Sequence, residues 1–308
     1  MFSLCLAVPL FASAQEDNMT RSLPFLEVNA DARTAGMGDS YMGETKSMFL
    51  YNNPSAFFGS EKSAYASYGT TIYPKIDAGT SLFHAVSGGY KYNKIHAFMA
   101  GWRYIGGLEI PTIDKNGNVG KPVKPMDWSV DLGYALQTSD NFSISIGVGF
   151  IQSSNYKVAR NYGFGFGINY NNYINKLYRY SLSANIKDIG PKFKYGKSEY
   201  KFQMPTSIGV GGTVEFPISD NHILNTAIST RYYMYPNDAS ALVAGVGVEY
   251  GFKNLVFARG GYHVGDKNDY STVGLGFNYK LISFDVAYII ADSKDFNLIK
   301  AGLCVKFF

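Results

Sequence analysis

The sequence is poor in the residue types that build disulfides, metal sites and membrane helices. It has two cysteines and four histidines in 308 residues, and one cysteine, Cys5, lies in an apolar leader. Without that leader the chain keeps only Cys304 and cannot form an intramolecular disulfide. No run of roughly eighteen apolar residues follows the leader, which excludes a transmembrane helix in the rest of the chain. The net charge of +4 is small and scattered, which argues against nucleic acid as a partner.

The leader occupies residues 1–14 and ends in Ala12-Ser13-Ala14 before Gln15. An apolar stretch that ends in a small-x-small site predicts a secretory signal peptide, which is removed from the mature protein. The basic residues that usually begin such a peptide are missing. We therefore exclude residues 1–14 from the fold and expect an exported protein.

The remaining chain is rich in glycine, tyrosine and phenylalanine, at 33, 25 and 22 residues, and much of it alternates between apolar and small or polar side chains. Residues 142–150 illustrate this, with Phe, Ile and Val on one face and Ser and Gly on the other. Successive side chains of a strand point to opposite faces, so a period of two predicts β-strands. Fourteen strands are predicted: 63–73, 80–91, 95–105, 127–138, 141–152, 161–171, 178–187, 204–215, 222–233, 240–251, 254–264, 270–280, 282–291 and 297–308.

Strands with one apolar face and one face of small and charged residues are typical of a membrane barrel, with lipid outside and a polar lumen inside. The sequence therefore predicts an all-β fold, a fourteen-stranded antiparallel transmembrane β-barrel over residues 63–308. A soluble β-sandwich or propeller is the alternative, but no blade-like repeat of about 40–50 residues is found. Charged residues on the inner face are expected to pair with one another and with trapped water: Asp131, Glu215, Glu249, Arg259, Asp285 and Lys300.

The connections between these strands alternate between short turns and longer loops. Residues 92–94 and 139–140 are short, whereas 106–126 and 188–203 are long. Outer-membrane barrels have short periplasmic turns and longer extracellular loops. The even strand number then predicts that both chain termini are periplasmic, and that Phe308 is the terminal aromatic residue that the outer-membrane assembly machinery recognises.

Residues 15–62 do not alternate, and they carry Gly, Asn and Pro at short intervals. Their Phe, Leu and Met content argues against a disordered segment. A barrel of fourteen strands leaves an aqueous opening unless something fills it. We therefore predict that residues 15–62 form a plug in the lumen, where Gly36 and Gly38 allow the backbone to approach the inner wall closely.

Sequence motifs in this segment resemble a known family. FLEVNADARTAGMGDSYMGE (residues 25–44) and LYNNPSAFF (residues 50–58) are similar to the N-terminus of the PorV/PorQ family. WRYIGGLEIPTIDKNGN (residues 102–118) and LSANIKDIGPKFKYG (residues 182–196) resemble later regions of that family and favour PorV over PorQ. The resemblance implies a FadL-like fourteen-stranded outer-membrane barrel of the type IX secretion system of Bacteroidota.

The family motif assigns specific residues to the plug. The chain departs from the family pattern at Asp39 and at Ser55. The matching positions are Phe25, Leu26, Ala32, Arg33, Gly36, Met37, Gly38, Asn53 and Pro54.

The resemblance also implies partners. Family members contact the large type IX translocon barrel, receive the C-terminal domains of secreted cargo and pass the cargo to a surface attachment complex. Exposed apolar side chains on a loop indicate a partner, so we expect Leu108, Ile110 and Ile113 to form the contact. The alternative is a FadL-like channel for hydrophobic small molecules, which the predicted polar lumen disfavours. Outer-membrane lipid is expected around either kind of barrel.

Catalytic and metal-binding patterns are weak, so we predict a protein that is not an enzyme and has no cofactor. His84 and His263 have no Ser or Asp partner at a recognisable spacing, and no nucleophile–base pair supports lipopolysaccharide deacylation. Residues 114–118 resemble the start of a calcium-binding EF-hand loop but lack its closing Glu. An Asn-Gly hairpin tip at Asn116-Gly117 is the preferred interpretation.

Overall fold

The structure, a computed structural model, describes residues 21–40, 42–43, 45–113, 118–155, 157–265, 269–291 and 297–308. Nearly all regular structure is strand. The strands are β1 (Ala64–Ile76), β2 (Gly79–Tyr92), β3 (His96–Leu108), β4 (Met126–Gln137), β5 (Phe142–Ser154), β6 (Val158–Ile174), β7 (Tyr178–Ile189), β8 (Ser207–Ser219), β9 (His222–Tyr233), β10 (Ala241–Phe252), β11 (Val256–Val264), β12 (Tyr270–Tyr279), β13 (Ile282–Ala291) and β14 (Leu298–Phe307).

These fourteen strands form a closed antiparallel barrel in which each strand pairs with its neighbours in sequence. β1 closes the ring against β14, in a register that runs from Ala64 opposite Phe307 to Ile72 opposite Ile299. Closure leaves no unpaired edge strand, so the ladders satisfy the backbone hydrogen bonds, as a membrane requires. The predicted all-β, fourteen-stranded antiparallel fold is confirmed.

The side chains are distributed inside out relative to a water-soluble protein. In β5, Ile144 and Ile146 are 38% and 43% exposed, whereas Ser143 and Ser145 are 2% and 8% exposed. The exposed face of the barrel is therefore apolar, and the inner face is mainly small and polar, with apolar exceptions such as Phe83 and Met99. This inversion is what a hydrocarbon environment selects, and the molecule is a transmembrane β-barrel of the outer-membrane type.

The strand boundaries agree with the predicted ones except at a few ends. β3 continues to Leu108, beyond the predicted end at residue 105, and β6 is longer than predicted at both ends. β8 begins at Ser207 and not at Met204. Pro205 lies in between, and a proline has no N–H with which to join a ladder.

Three of the short turns share one backbone geometry. Both residues of Asn93-Lys94, Asn175-Lys176 and Lys253-Asn254 have positive φ angles between 50° and 58°. Two consecutive left-handed residues make the hairpin turn whose twist matches that of the strands it joins. We call this the turn end of the barrel and the opposite end the loop end. In outer-membrane barrels the turn end is periplasmic.

The described residues between 21 and 59, which we call the luminal segment, lie inside the barrel. The helix α1 (Ala32–Ala35) contacts β12, β13 and β14, the helix α2 (Phe49–Asn52) contacts β2, β3 and β4, and the 3-10 turn Pro54–Gly59 contacts β3 to β6. These strands lie on different sides of the closed barrel, and one short segment can contact all of them only from inside it. A further 3-10 turn, Pro24–Leu26, precedes α1.

The luminal segment crosses the lumen from the loop end to the turn end. Arg21 Nη1 donates a 2.8 Å hydrogen bond to the carbonyl of Ala239, and its guanidinium lies 4.2 Å from the ring centroid of Tyr233, the last residue of β9. The far end of the segment, Gly59, accepts a 2.8 Å hydrogen bond from Arg179, near the start of β7. The first described residue, Arg21, therefore lies at the loop end and the last strand ends at the turn end; the N-terminus itself lies outside the described residues, so the prediction that both termini are periplasmic stays a prediction. The predicted signal peptide and the Asn116-Gly117 tip lie outside the described residues.

This topology predicts a labelling pattern. In a Cys304→Ser background, cysteines at Arg21 and at Val119, which is 79% exposed at the loop end, should react with a membrane-impermeant maleimide on intact cells. A cysteine at Asn93, in a turn-end hairpin, should react only after the cells are lysed. Labelling of Asn93→Cys on intact cells, without labelling of Val119→Cys, would show that the barrel has the opposite orientation in the membrane.

Candidate functional site

The luminal segment and the wall meet backbone to backbone at the glycines of β10 and β11. Gly38 has a φ of 69°, and a Cβ added there would lie 2.5 Å from the carbonyl oxygens of Tyr262 and Val246. On the wall, a Cβ at Gly245 or Gly261 would lie 2.1 to 2.2 Å from backbone atoms of Gly38. No side chain fits on either surface at this point, so glycine on both sides is a steric requirement.

A buried carboxylate on β10 joins the luminal segment to the wall. Glu249 is 0% exposed, and Arg33 of α1 donates to it through Nε at 2.9 Å and through Nη2 at 2.8 Å. Arg259 Nε of β11 donates to the same carboxylate at 2.6 Å, and Asn225 Nδ2 of β9 donates at 2.8 Å. Lys46 Nζ lies 3.8 Å away. A buried carboxylate is stable only when its charge is balanced and its oxygens are hydrogen-bonded, and both conditions are met here.

The same network continues across the wall to β13. Arg259 Nη1 lies 2.8 Å from Asp285 Oδ1, as an ion pair without an aligned hydrogen bond. Gly276 of β12 leaves space for the guanidinium, because a Cβ there would lie 2.4 Å from Arg259 Nη2. The chain of charges therefore alternates in sign from Arg33 through Glu249 and Arg259 to Asp285.

The loop that enters α1 is held by buried polar contacts. Asp31 accepts hydrogen bonds from the backbone N–H of Arg33 at 3.0 Å and from the hydroxyl of Ser47 at 2.8 Å. Lys300 Nζ of β14 donates to the carbonyl of Asn29 at 2.9 Å. Burial raises the pKa of the Asp31 carboxyl, and the nearby Asp285 carboxylate acts in the same direction. These contacts fix the short helix that presents Arg33 to the wall.

A second polar cluster lies against β3, β4 and β7. Arg103 Nη2 donates to Asp131 Oδ1 at 2.9 Å, and its guanidinium lies 4.7 Å from the ring centroid of Tyr51 in α2. Lys187 Nζ donates to the carbonyl of Tyr51. Two walls of the barrel are thus bound to two different parts of the luminal segment.

The Asn53-Pro54 turn anchors the segment toward the turn end. The side chain of Asn53 accepts from the N–H of Ser55 at 3.2 Å and donates to the carbonyl of Ile168 in β6 at 3.0 Å. Next to it, Phe49, Phe57 and Tyr65 form a triangle of rings whose centroids are 4.9 Å apart. This aromatic cluster packs the segment where it enters β1.

The other motif residues are also placed in the luminal segment. Phe25 is 0% exposed, with the Arg103 guanidinium 5.7 Å from its ring centroid, and Leu26 is 8% exposed. Ala32 packs toward Gly302 of β14, where an added Cβ would lie 3.4 Å from the Ala32 Cβ. The carbonyl of Met37 approaches Gly247 of β10 so closely that a Cβ there would lie 2.4 Å from it. The structure therefore brings all nine motif positions into the lumen.

At the loop end, the β3–β4 connection forms a hairpin that extends beyond the barrel. Ile110 pairs with Val123, and Ile113 pairs with Val119 closer to the tip. Ile113 is 71% exposed and Val119 is 79% exposed, so the hairpin carries an apolar pair near its tip, which we call the tip pair. Glu109 and Lys124 form an exposed ion pair at the hairpin base.

Leu108 does not belong to this exposed surface. It ends β3, pairs with Gly79 of β2 and is 5% exposed. The predicted inclusion of Leu108 in an exposed loop is wrong, because β3 continues for three residues beyond its predicted end. Ile110 is half-buried, and Ile113 is the exposed member of the predicted trio.

Sequence reasoning found the lumen-facing acids but missed most of their partners. Arg103, Lys187 and Arg231 also face inward, and Arg231 donates to Ser207 Oγ at 2.8 Å and to Asn185 Oδ1 at 3.0 Å. Arg103 and Arg231 could have been identified, since each alternates in phase with small inward residues of its strand. The pairing of Arg33 with Glu249 joins residues 216 positions apart and has no local sequence signal.

Three of the four histidines, His84, His96 and His222, pair with tyrosine hydroxyls, and His263 Nδ1 lies 3.3 Å from the carbonyl oxygen of Gly38. His84 Nδ1 lies 2.8 Å from the hydroxyl of Tyr68, and His96 Nδ1 lies 2.8 Å from that of Tyr134. Among the described residues, no three His, Cys, Asp or Glu side chains are close enough together to hold a metal ion. In the same part of the chain, no helix is both long and apolar enough to span a membrane.

A protein-family model matches residues 11–238 of the chain. The family is described as type IX secretion system protein PorV. No curated protein sequence matches the chain.

Solved structures match the fold at low sequence identity. The toluene transporter TodX of Pseudomonas putida is 12% identical, with a TM-score of 0.60 over 89% of this chain and 97% of TodX. The toluene transporter TbuX of Ralstonia pickettii is 14% identical, with a TM-score of 0.62 over 92% and 99%. A FadL homologue of Pseudomonas aeruginosa is 11% identical, with a TM-score of 0.57 over 91% and 99%. At these identities the likeness concerns the fold alone.

The Glu249 network predicts a specific loss of stability. Glu249→Gln removes the charge that balances Arg33 and Arg259, and breaking a buried ion pair on one side costs about 3–5 kcal/mol. We expect a lower thermal unfolding midpoint and faster proteolysis of the luminal segment in the purified barrel. Glu109→Gln is the matched control, since its exposed ion pair is worth at most about 1 kcal/mol. Equal behaviour of the two variants would contradict this role of Glu249.

Proposed function

The chain belongs to the PorV family of type IX secretion system proteins, and from this premise we propose that it binds the large translocon barrel and the C-terminal domains of cargo and delivers cargo to the surface attachment complex. It is an outer-membrane component of type IX secretion. The family membership supports the secretion role, and the observation that carries the binding role is the tip pair of the surface hairpin.

The tip pair has the properties of a protein contact. Ile113 and Val119 lie beyond the last full pairing of β3 with β4, so they are outside the lipid-facing band that makes apolar exposure ordinary in a barrel. Apolar side chains exposed to water cost free energy, and burial at an interface recovers about 1.5–3 kcal/mol for a side chain of this size. A paired hairpin also presents them with little loss of conformational entropy on binding.

The small cavity volume in the lumen favours a closed barrel over a channel for hydrophobic compounds. One cavity beside the luminal segment is about 80 Å³, and its lining combines the charged residues Arg103, Asp131, Lys187 and Asp188 with apolar residues such as Leu26 and Leu50. For comparison, an apolar cavity that binds benzene has a volume of about 150 Å³. We propose that residues 15–62 plug the barrel and that cargo does not pass through the lumen.

A FadL-like channel for hydrophobic small molecules is the second candidate. It is favoured by the fold neighbours, two of which are described as toluene transporters. In that case the luminal segment would move during transport, and the buried ion pair between Arg33 of the segment and Glu249 of the wall would have to break. The cost of breaking this pair counts against such movement.

The plug proposal predicts how substitution of Gly36 and Gly38 changes the conductance of the barrel. Changing Gly36 and Gly38 together to Val should displace the luminal segment, because a Cβ at Gly38 meets two wall carbonyls at 2.5 Å. The variant should show a larger single-channel conductance in planar bilayers, or fail to assemble. Gly147→Ala, where the nearest atom is 3.7 Å away, is the matched control and should behave as wild type. Wild-type conductance and yield from the double variant would refute the plug.

The hairpin proposal predicts a secretion defect. Ile113→Ser with Val119→Ser should weaken translocon binding by about a hundredfold or more, since each buried apolar side chain contributes about 1.5–3 kcal/mol. Cargo should be retained while the barrel remains at normal levels in the outer membrane, which immunoblotting of membranes and medium would measure.

Tyr200→Ser serves as the control for this variant, because Tyr200 is 81% exposed on a different connection at the loop end. It should leave secretion intact. Normal secretion by the tip-pair variant would place the contact elsewhere. Loss of uptake of a hydrophobic compound, with secretion intact, would favour the channel.

A further inference from the structure

The lipid-facing surface of β7, β8 and β9 contains a concave apolar groove that the secretion role does not use. Its volume is about 650 Å³, within the range of small-molecule sites. Gly212 forms part of its floor and faces outward, since an added Cβ there would lie 2.8 Å from Leu182 Cδ2. Leu182 and Ile228 stand on either side and are 53% and 59% exposed. A glycine between two large side chains creates the depression.

The groove lies in one half of the membrane. Its lower end is Ile174, the last residue of β6 at the turn end, and Tyr180 is close to the start of β7. Its upper part reaches Ile228 and Val246, which lie near the middle of β9 and β10. The groove therefore follows the periplasmic half of the hydrocarbon layer, the depth that the acyl chain of a periplasmic-leaflet lipid occupies.

Polar groups stand where the head group of such a lipid would be. Lys176 is exposed in the two-residue turn that follows Ile174. Tyr180 and Tyr170 pack with ring centroids 6.1 Å apart, and Asn172 donates to the Tyr170 hydroxyl at 2.7 Å. Tyrosines at this depth belong to the interfacial girdle, and a lysine next to it places its ammonium group among lipid phosphates.

From the groove and this polar end we infer a binding site for one phospholipid of the periplasmic leaflet. One acyl chain lies along Gly212 between Leu182 and Ile228, and the phosphate pairs with the Lys176 ammonium. A lipid fits better than a protein partner, because the groove ends at the depth of a single leaflet and its polar end carries the charge opposite to a phosphate.

The test measures lipid retained by the purified full-length barrel, using native mass spectrometry with dimyristoyl phosphatidylglycerol as the probe. Wild type should retain one phospholipid more tightly than the rest. Lys176→Gln should weaken this retention about fivefold, the effect of one lysine near a lipid surface. Thr226→Trp, which fills the groove from β9, should weaken it tenfold or more.

Two matched variants make the test specific. Lys280→Gln changes an exposed lysine in the turn between β12 and β13, on the far side of the ring, and Thr70→Trp places the same bulk on the lipid face of β1. Neither should change retention. Equal losses in Lys280→Gln and Lys176→Gln would overturn the site, and so would unchanged retention in Lys176→Gln, which alters only a surface turn and does not endanger folding.

The chemistry of the ligand is tested by dimyristoylglycerol, which has the acyl chains but no phosphate. The site predicts weaker retention of this probe in wild type and no further loss in Lys176→Gln. Equal retention of both probes would overturn the phosphate contact. Loss of a co-purifying protein in Thr226→Trp, with lipid retention intact, would show that a protein occupies the groove and would also overturn the inference.

Discussion

The carboxylate of Glu249 is the interaction on which the arrangement inside the barrel depends. It is completely buried, and it needs the positive charges of Arg33 and Arg259 together with the Asn225 amide to remain ionised there. One of these groups belongs to the luminal segment and the others to the wall, so neither part satisfies its buried charges alone. Without the segment, Glu249 and Asp285 would share the Arg259 guanidinium, in a lumen open to water. The segment therefore supplies, through Arg33, a second positive charge to a carboxylate that its own packing buries.

The inner wall has no side chains at several positions where the backbone of the luminal segment lies against it. Glycines at 245, 247 and 261 remove side chains where the backbone of Met37 and Gly38 lies against the strands. Serines and asparagines elsewhere offer hydrogen bonds to a backbone that has little regular structure of its own. The described part of the luminal segment thus packs against the wall through polar contacts and through an apolar cluster around Phe49 and Phe57. We expect such a barrel to act as a binding component at its rim and to be a poor conduit for apolar molecules.

The fold was predictable because the alternation of apolar and polar residues that indicates each strand lies within that strand. An alternation with a period of two recurs fourteen times in the sequence. It predicts both ends of β9 correctly and the ends of other strands to within a few residues. Turns made of Asn and Lys, which have positive φ in the structure, separate some of these strands. The alternation also identified Glu249, Arg259 and Asp285 as facing the lumen. What could not be predicted depends on contacts distant in sequence: the pairing of Arg33 with Glu249, and the position of Arg21 at the loop end. Leu108 was misplaced because β3 continues through Gly107, whose φ is 110°, beyond its predicted end at residue 105.

The central claim is that this barrel contacts the secretion machinery through its surface hairpin. A photo-crosslinking amino acid at Val119, activated in intact cells, tests the claim most directly, because that side chain is among the most exposed of the hairpin. The account predicts a covalent product with the large translocon barrel, absent when the same amino acid replaces Asn93 in a turn-end hairpin. Products at Val119 only with lipid or with this chain itself, in cells that are actively secreting, would contradict it.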